Sequence, residues 1–311
     1  MRQIRVTQYG GPEQMRLVEL PDPVPAPGEA LVRVTVAGVN CMDIAARSMP
    51  LPGWGLPAAM GVEGAGRVEA IGAGVENLAP GDRVAWFYHP GSYADLAAVR
   101  AESLVKIPEA VDDQTAAAVM MQGLTAHHLV TETYPVAAGD TAVVLAAAGG
   151  SAIGLVSRED KAPAARAAGA DHVLADHVLV SSGGGFQDQV RELTGGRGAD
   201  VVYDGGGTDT FRSSQLALRR HGVHAFNGNL IGNPTLNPTD LPASIKLTYP
   251  VVFDHVPDPA RLRRHAGEVF DLVAAGKLTP RIGAYYPLAD AAKAPADLAS
   301  RRAVGNLLLM P

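Results

Sequence analysis

The segment Thr141–Ala147 is a continuous apolar run that ends in Gly149-Gly150. A strand with no polar alternation is buried on both faces, and a sheet is covered on both faces when helices pack on each side. That feature commits the second half of the chain to an open parallel sheet. The residues downstream agree. Ile153–Ser157, Val173–Val180, Val201–Tyr203 and Val223–Phe226 read as further strands. Between them Asp160–Ala168 (closed by Gly169), Phe186–Thr194 (stopped by Gly195-Gly196) and Thr210–Leu218 read as helices. Strands alternating with helices are the signature of a doubly wound sheet. Just upstream, Asp112–Tyr134 is rich in Ala, Met and Leu and free of proline, which predicts a helix or two ending before Pro135.

The first hundred residues have a different texture. Ile4–Val6, Met15–Glu19, Ala30–Ala37, Gly66–Ile71, Asp82–Ala85 and Tyr93–Val99 are short apolar or alternating runs. Turn clusters such as Gly10-Gly11-Pro12, Pro21–Pro27 and Ala79-Pro80-Gly81-Asp82 separate them. This spacing predicts an all-β sandwich or barrel. The tail carries a helix at Ala260–Ala275, an extended piece around Tyr285–Leu288, a helix at Leu288–Ser300 and a strand at Asn306–Met310. A β domain therefore precedes an α/β domain, and the tail is expected to return to the first.

Composition excludes several classes. Glycine and proline, 35 and 23 of 311 residues, argue against a helical bundle, and a hydrophobic fraction of 47% argues against disorder. A formal net charge of −6 with no block of one sign makes nucleic acid a poor partner. The single cysteine, Cys41, rules out a disulfide framework and a multi-cysteine zinc site. The most apolar stretch, Ala142–Val156, is broken by Gly149, Gly150 and Ser151 and is too short to span a membrane. The N-terminus, with Arg2 and Arg5 followed by turn residues, has no signal-peptide hydrophobic region. A soluble, cytoplasmic protein is the expectation.

A set of motifs in fixed order then carries a resemblance. It runs through Gly10-Gly11-Pro12-Glu13, Pro27-Gly28-Glu29, Ala37-Gly38-Val39-Asn40, Asp43 and Gly61-Val62-Glu63-Gly64-Ala65-Gly66. It continues in Gly81-Asp82-Arg83-Val84, Gln122-Gly123-Leu124-Thr125-Ala126, Ala146-Ala147-Ala148-Gly149-Gly150 and Thr194–Asp204, and ends in Leu307–Pro311. Over nearly its whole length the chain resembles the medium-chain dehydrogenase/reductase superfamily, in its zinc-free quinone oxidoreductase (zeta-crystallin-like) branch. The resemblance implies a GroES-like β-rich catalytic domain (1–121 and 251–311) around a Rossmann NADP-binding domain (122–250), with the active site in the cleft between them. It implies an NADPH-dependent, zinc-independent quinone oxidoreductase, its substrate a quinone or enone. It further implies a homodimer joined through the edge of the Rossmann sheet. Two alternatives stay open: an enone or enoyl-thioester reductase, and a non-catalytic binding protein with a degraded cofactor site.

Zinc-dependent relatives place a cysteine where this chain has Asn40 and a histidine where it has Val62. Neither an amide nor an isopropyl group replaces those ligands, so no metal is expected. At the family's position Asn40 is the candidate catalytic residue, as hydrogen-bond donor to a substrate oxygen or to the ribose. Capping or bridging of loop backbone is an equal alternative. Enoyl reductases of the superfamily often carry a tyrosine just after this element. Asp43–Pro50 contains none, which argues against enoyl-thioester reduction.

For NADPH, Gly149 and Gly150 follow the buried strand and would let backbone approach the pyrophosphate. Ser157, Arg158 and Lys161 fall where NADP-preferring relatives contact the 2′-phosphate, and Arg301 matches a further phosphate-reaching arginine, with a solvated helix face as its alternative. Thr125 and Phe253 match positions near the nicotinamide, and each has core packing as an alternative. His127-His128, on an Ala-rich helix without spaced partner ligands, reads as two ordinary histidines.

The chain departs from the family pattern in two places. Only Ser151 and Ala152 separate Gly150 from Ile153, whereas a parallel crossover takes at least about 10–12 residues and usually holds a helix. The helix whose N-terminus would face the pyrophosphate is missing. A continuous chain is therefore expected not to make Ala142–Ala147 and Ile153–Ser157 parallel neighbours; otherwise a break is expected near Gly150–Ala152, with about fifteen residues absent. The second departure is a repeat: Ala170-Asp171-His172-Val173-Leu174 recurs at once as Ala175-Asp176-His177-Val178-Leu179. Irregular geometry is expected there.

Overall fold

The computed structural model describes residues 1–51, 54–144, 151–156, 159–168, 172–175, 185–230, 232–300 and 303–311. They form two compact units, one of Met1–Thr125 with Val256–Pro311 and one of Ala126–His255.

The first unit opens with strands β1 (Arg2–Val6), β2 (Arg16–Glu19) and β3 (Glu29–Gly38), helix α1 (Cys41–Ser48), and strands β4 (Ala58–Ala59) and β5 (Glu63–Ile71). Strands β6 (Arg83–Trp86), β7 (Leu96–Arg100) and β8 (Leu104–Lys106) follow, then helices α2 (Asp113–Val119) and α3 (Met121–His128). Six of these strands match the expected runs to within a few residues. In β3 the burial alternates from Ala30 to Val36 and then becomes continuous through Gly38. The strand thus has one solvated face at its start and two buried faces at its end, where the candidate site begins.

In the second unit come β9 (Thr141–Val144), β10 (Ser151–Val156), α4 (Ala162–Ala167), β11 (His172–Ala175), α5 (Phe186–Leu193) and β12 (Ala199–Asp204). They are followed by α6 (Thr208–Ala217), β13 (Leu218–Phe226), β14 (Lys246–Thr248) and α7 (Val252–His255). All six strands are parallel, in the order β11-β10-β9-β12-β13-β14. That is the 3-2-1-4-5-6 order of a dinucleotide-binding fold. Both faces are covered, as the unbroken apolar runs require. Val143, Ile153, Val202 and Leu218 pack on one side with Phe186 and Val190, and Ala142, Val144, Val201, Tyr203 and Ala225 pack on the other with Leu129.

One expectation is corrected here. β9 and β10 are adjacent and parallel, with Ser151 opposite Thr141 and Gly154 opposite Val144, and Ser151–Val156 is one strand. The rule that a crossover needs a dozen residues assumes a return along a full-length strand. This paired stretch is four residues long. The chain has to fall back roughly 10 Å along the strand and 5 Å sideways, and the seven Cα–Cα steps from Val144 to Ser151 reach roughly 23 Å. Of Gly150–Ala152, where a break was expected, Ser151 and Ala152 belong to β10, and Gly150 lies outside the described residues. Of the repeat, His172–Ala175 forms β11, and its remaining residues lie outside the description.

The tail returns to the first unit as α8 (Pro259–Ala274), β15 (Ile282–Pro287), α9 (Lys293–Ala299) and β16 (Asn306–Met310). It completes a seven-stranded sheet of order β15-β16-β3-β5-β6-β8, with β7 also on β3, beside a small sheet β2-β1-β4. Leu307 and Leu309 of the tail share a core with Ile4, Val6, Ala37, Met60 and Tyr93. The two ends of the sequence thus build one domain. Among the described residues, no helix is long and apolar enough to cross a membrane.

Candidate functional site

In the first unit the site grows from the point where β3 hands over to α1. Asn40 is the N-cap residue of α1; the Asp43 carboxylate accepts from its backbone N–H at 2.8 Å, and Asp43 N donates to the Asn40 carbonyl at 3.1 Å, which fixes the turn. The Asn40 side chain points elsewhere. Its Nδ2 donates to Glu63 Oε1 at 2.8 Å, and its Oδ1 accepts from Gln122 Nε2 at 2.7 Å. The second Glu63 oxygen accepts from Met121 N, the first residue of α3, at 2.6 Å. Tyr93 Oη closes the group by donating to Asp43 at 2.9 Å. All of Asn40, Asp43, Glu63 and Tyr93 are buried.

Burial dominates the electrostatics. Desolvation pushes Glu63 up to about 8 and Asp43 up to about 7, against the pull of their N–H and O–H donors, and Asp43 adds to the rise of Glu63. Desolvation also raises Tyr93 well above its ordinary value, with Asp43 adding to the shift. Near neutral pH the cluster therefore retains protons that solvated carboxyls would have lost. Gly38 makes room for it: a Cβ there would lie 2.1 Å from Glu63 Oε1.

Zinc does not fit these residues. Val62 is fully buried and offers no donor atom, and the amide of Asn40 is engaged by Glu63 and Gln122. Thr125 lies three residues beyond Gln122 on α3 and is half-buried. The stretch Asp43–Pro50 holds no tyrosine, yet Tyr93, from just before β7, supplies a hydroxyl to Asp43. Neither Tyr93 nor Glu63 was singled out from sequence.

In the second unit the feature that suits a dinucleotide is the carboxyl end of β12 and β13. Gly205-Gly206-Gly207 leads from β12 into α6, and Gly207 has φ +76°, which a side chain would strain. A Cβ on Gly228, just past β13, would stand 2.4 Å from Gly207 N. The two loops thus lie backbone to backbone beside β9 and β12, where this strand order reverses and ligands bind, and that close backbone fits a dinucleotide. Of the candidates from sequence, Lys161 ends a 3-10 turn after β10 and is half-buried, and Phe253 is exposed on α7. Gly149, Gly150, Ser157, Arg158 and Arg301 lie outside the described residues. His128 is buried and stacks on His255, with ring centroids 4.1 Å apart, so it is a packing residue.

Comparison with known proteins agrees with both units. The "Alcohol dehydrogenase GroES-like domain" family matches residues 26–109, and the "Zinc-binding dehydrogenase" family matches residues 168–309. A quinone oxidoreductase of Pseudomonas aeruginosa is 35% identical over 329 aligned positions, covering 100% of this chain and 99% of the relative. A 2-haloacrylate reductase of a Burkholderia species is 33% identical over 98% of each chain. Among solved structures, the quinone oxidoreductase of Escherichia coli complexed with NADPH superposes with a TM-score of 0.92 at 30% identity, covering 100% of both chains. The Pseudomonas alignment is longer than the 311 residues of this chain, so that relative carries positions missing here. The chain belongs to the medium-chain dehydrogenase/reductase superfamily, among its quinone oxidoreductases.

Proposed function

We propose that the protein is an NADPH-dependent, zinc-independent quinone oxidoreductase, a cytoplasmic homodimer that reduces a quinone or a similar conjugated carbonyl. The likeness to quinone oxidoreductases over the full length of both chains is the observation that carries this reading. Bound NADPH supplies the hydride. The chain supplies binding, orientation and exclusion of water. Asn40, its amide held by Glu63 and Gln122, offers its second Nδ2–H to the substrate oxygen. Reduction of a quinone leaves a phenolate-like oxygen of modest basicity, which one hydrogen-bond donor stabilises without a Lewis acid.

The test follows NADPH oxidation with small and polycyclic quinones, with an enone, a 2-haloacrylate and an enoyl thioester alongside. Quinone turnover supports the proposal. Turnover of a conjugated acid or thioester alone moves the assignment to an enoyl reductase, which the 2-haloacrylate reductase relative favours. Calorimetry with NADPH and NADH covers the non-catalytic alternative, since binding of neither at millimolar concentration would favour it. Sedimentation reads the subunit number.

Cofactor preference is a separate prediction. A charge-assisted bond from lysine to the 2′-phosphate is worth about 1.5–3 kcal/mol. Lys161→Ala is expected to weaken NADPH roughly tenfold or more and to leave NADH nearly unchanged. Equal losses for both would show that Lys161 does not read the phosphate.

A further inference from the structure

Asp204 is the last residue of β12 and is completely buried. Its carboxylate accepts four hydrogen bonds: from Gly206 N at 2.9 Å, Thr210 Oγ1 at 2.6 Å, Ser214 Oγ at 2.8 Å and His224 Nε2 at 3.1 Å. Those donors come from three places: the glycine loop, two successive turns of α6, and β13. The Asp204 carbonyl meanwhile accepts from Asn227 N at 2.8 Å, tying down the second loop. His224 is itself buried between Phe211 and Phe226 and has little freedom to move. Burial alone would raise the Asp204 carboxyl, yet its donors hold it below its ordinary value, so it stays an ionised, saturated acceptor.

Such a hub has a definite task. Gly205–Gly207 and Gly228 have no side chains to hold them, and a glycine loop left to itself samples many conformations. A loop that presents backbone to a ligand binds well only if its geometry is set beforehand. Asp204 is placed to set it, because it grips the loop through Gly206, the start of the following helix through Thr210, and the neighbouring strand through His224.

We propose that Asp204 is a positioning residue for the dinucleotide, locking the Gly205–Gly207 loop against Gly228 at the carboxyl ends of β12 and β13. The proposal rests on the reading of the second unit as the NADPH-binding domain. It assigns no chemistry to Asp204, which acts through the loop.

The experiment compares the full-length wild type with Asp204→Asn, Thr210→Val and Ser214→Ala, and with Gly228→Ala, which presses on the loop from the other side. NADPH affinity is measured by calorimetry well below each variant's melting temperature, and KM for NADPH, KM for quinone and kcat by steady-state assay. Asp204→Asn and Gly228→Ala are expected to raise Kd and KM for NADPH roughly tenfold or more, with KM for quinone unchanged. Thr210→Val and Ser214→Ala are expected to shift the same two constants by smaller factors, and they decide the matter if Asp204→Asn does not fold. Unchanged NADPH affinity in the folded variants, with only a lower melting temperature, would reduce Asp204 to a structural residue and overturn the proposal. Failure of the wild type to bind NADPH is a different outcome, since it removes the functional reading itself.

Discussion

Raising the pH from 5 to 8 is expected to lower the melting temperature, and Glu63→Gln is expected to remove much of that slope. In the folded protein Glu63 titrates near 8 and Asp43 near 7, because burial penalises their charged forms. In the unfolded chain both lose their protons near pH 4. Between these limits the native state binds more protons than the unfolded state, so stability is fully present below about pH 4 and declines as pH rises toward the folded values. Each unit of mismatch is worth 1.36 kcal/mol per group, so the pair contributes on the order of several kcal/mol across the window. Asp200 and Asp204 lean the other way. Burial opposes their charge, but bonds to Asp200 from Arg197, Arg219 and Thr141 N, and to Asp204 from His224 and Thr210, hold both below their ordinary values. What they contribute is present above about pH 4 and is lost on acidification below it. Half-buried His89, its titration lowered by desolvation, adds a small slope of the same sign as theirs. A stability maximum between about pH 4 and 6 follows. Thermal unfolding at half-unit pH steps checks it. A wild-type curve that is flat or rising from pH 5 to 8 would show that the carboxyls of the Asn40 cluster are ionised in the folded state.

The elements were legible in the sequence because most rest on local signals. Apolar runs closed by Gly149-Gly150 or Gly195-Gly196 mark strands and helices without knowledge of their partners. What stayed hidden depends on pairing. Lys246–Thr248 is a three-residue strand in a proline-flanked stretch and carries no pattern of its own. The parallel pairing of β9 with β10 is hidden because a length rule for whole strands does not hold for a four-residue overlap. Glu63 was seen only as one letter of a family motif, since the partners that define it, Gly38, Asn40 and Met121, are far away in the chain. A usable signal was nonetheless present. In Met60–Gly66, Glu63 is the one acidic or basic residue in a run of Gly, Val, Ala and Met, and Asp204 and His224 stand the same way, apart from the weakly acidic Tyr203, in Val201–Asp204 and Val223–Phe226. A lone charge in a run that is otherwise buried must have a prepared set of partners.

Gly38→Ala is expected to disable the enzyme and destabilise the fold by about 1–3 kcal/mol. Gly38 faces Glu63 across the β3–β5 ladder. A methyl group there would lie 2.1 Å from Oε1, 2.6 Å from Cδ and 2.7 Å from Cγ of Glu63. The side chain cannot yield cheaply, because Asn40 Nδ2 and Met121 N hold its two oxygens. Either the strands move apart, at about 1–3 kcal/mol for overpacking, or the carboxyl leaves and the buried Asn40 Nδ2–H and half-buried Met121 N–H lose their acceptor, at about 1–3 kcal/mol for the buried one. In the second case the Asn40 amide is also released, and quinone turnover is expected to fall at least tenfold with KM for NADPH little changed. A double-mutant cycle isolates the cause. In a Glu63→Ser background the space is already empty, so Gly38→Ala is expected to add less than about 1 kcal/mol, a strongly non-additive result. Equal costs of Gly38→Ala in both backgrounds would mean that the glycine is required by the strand itself, for instance by the irregular register of β3 against β5. Glu63 would then lose its claim to be the reason for it.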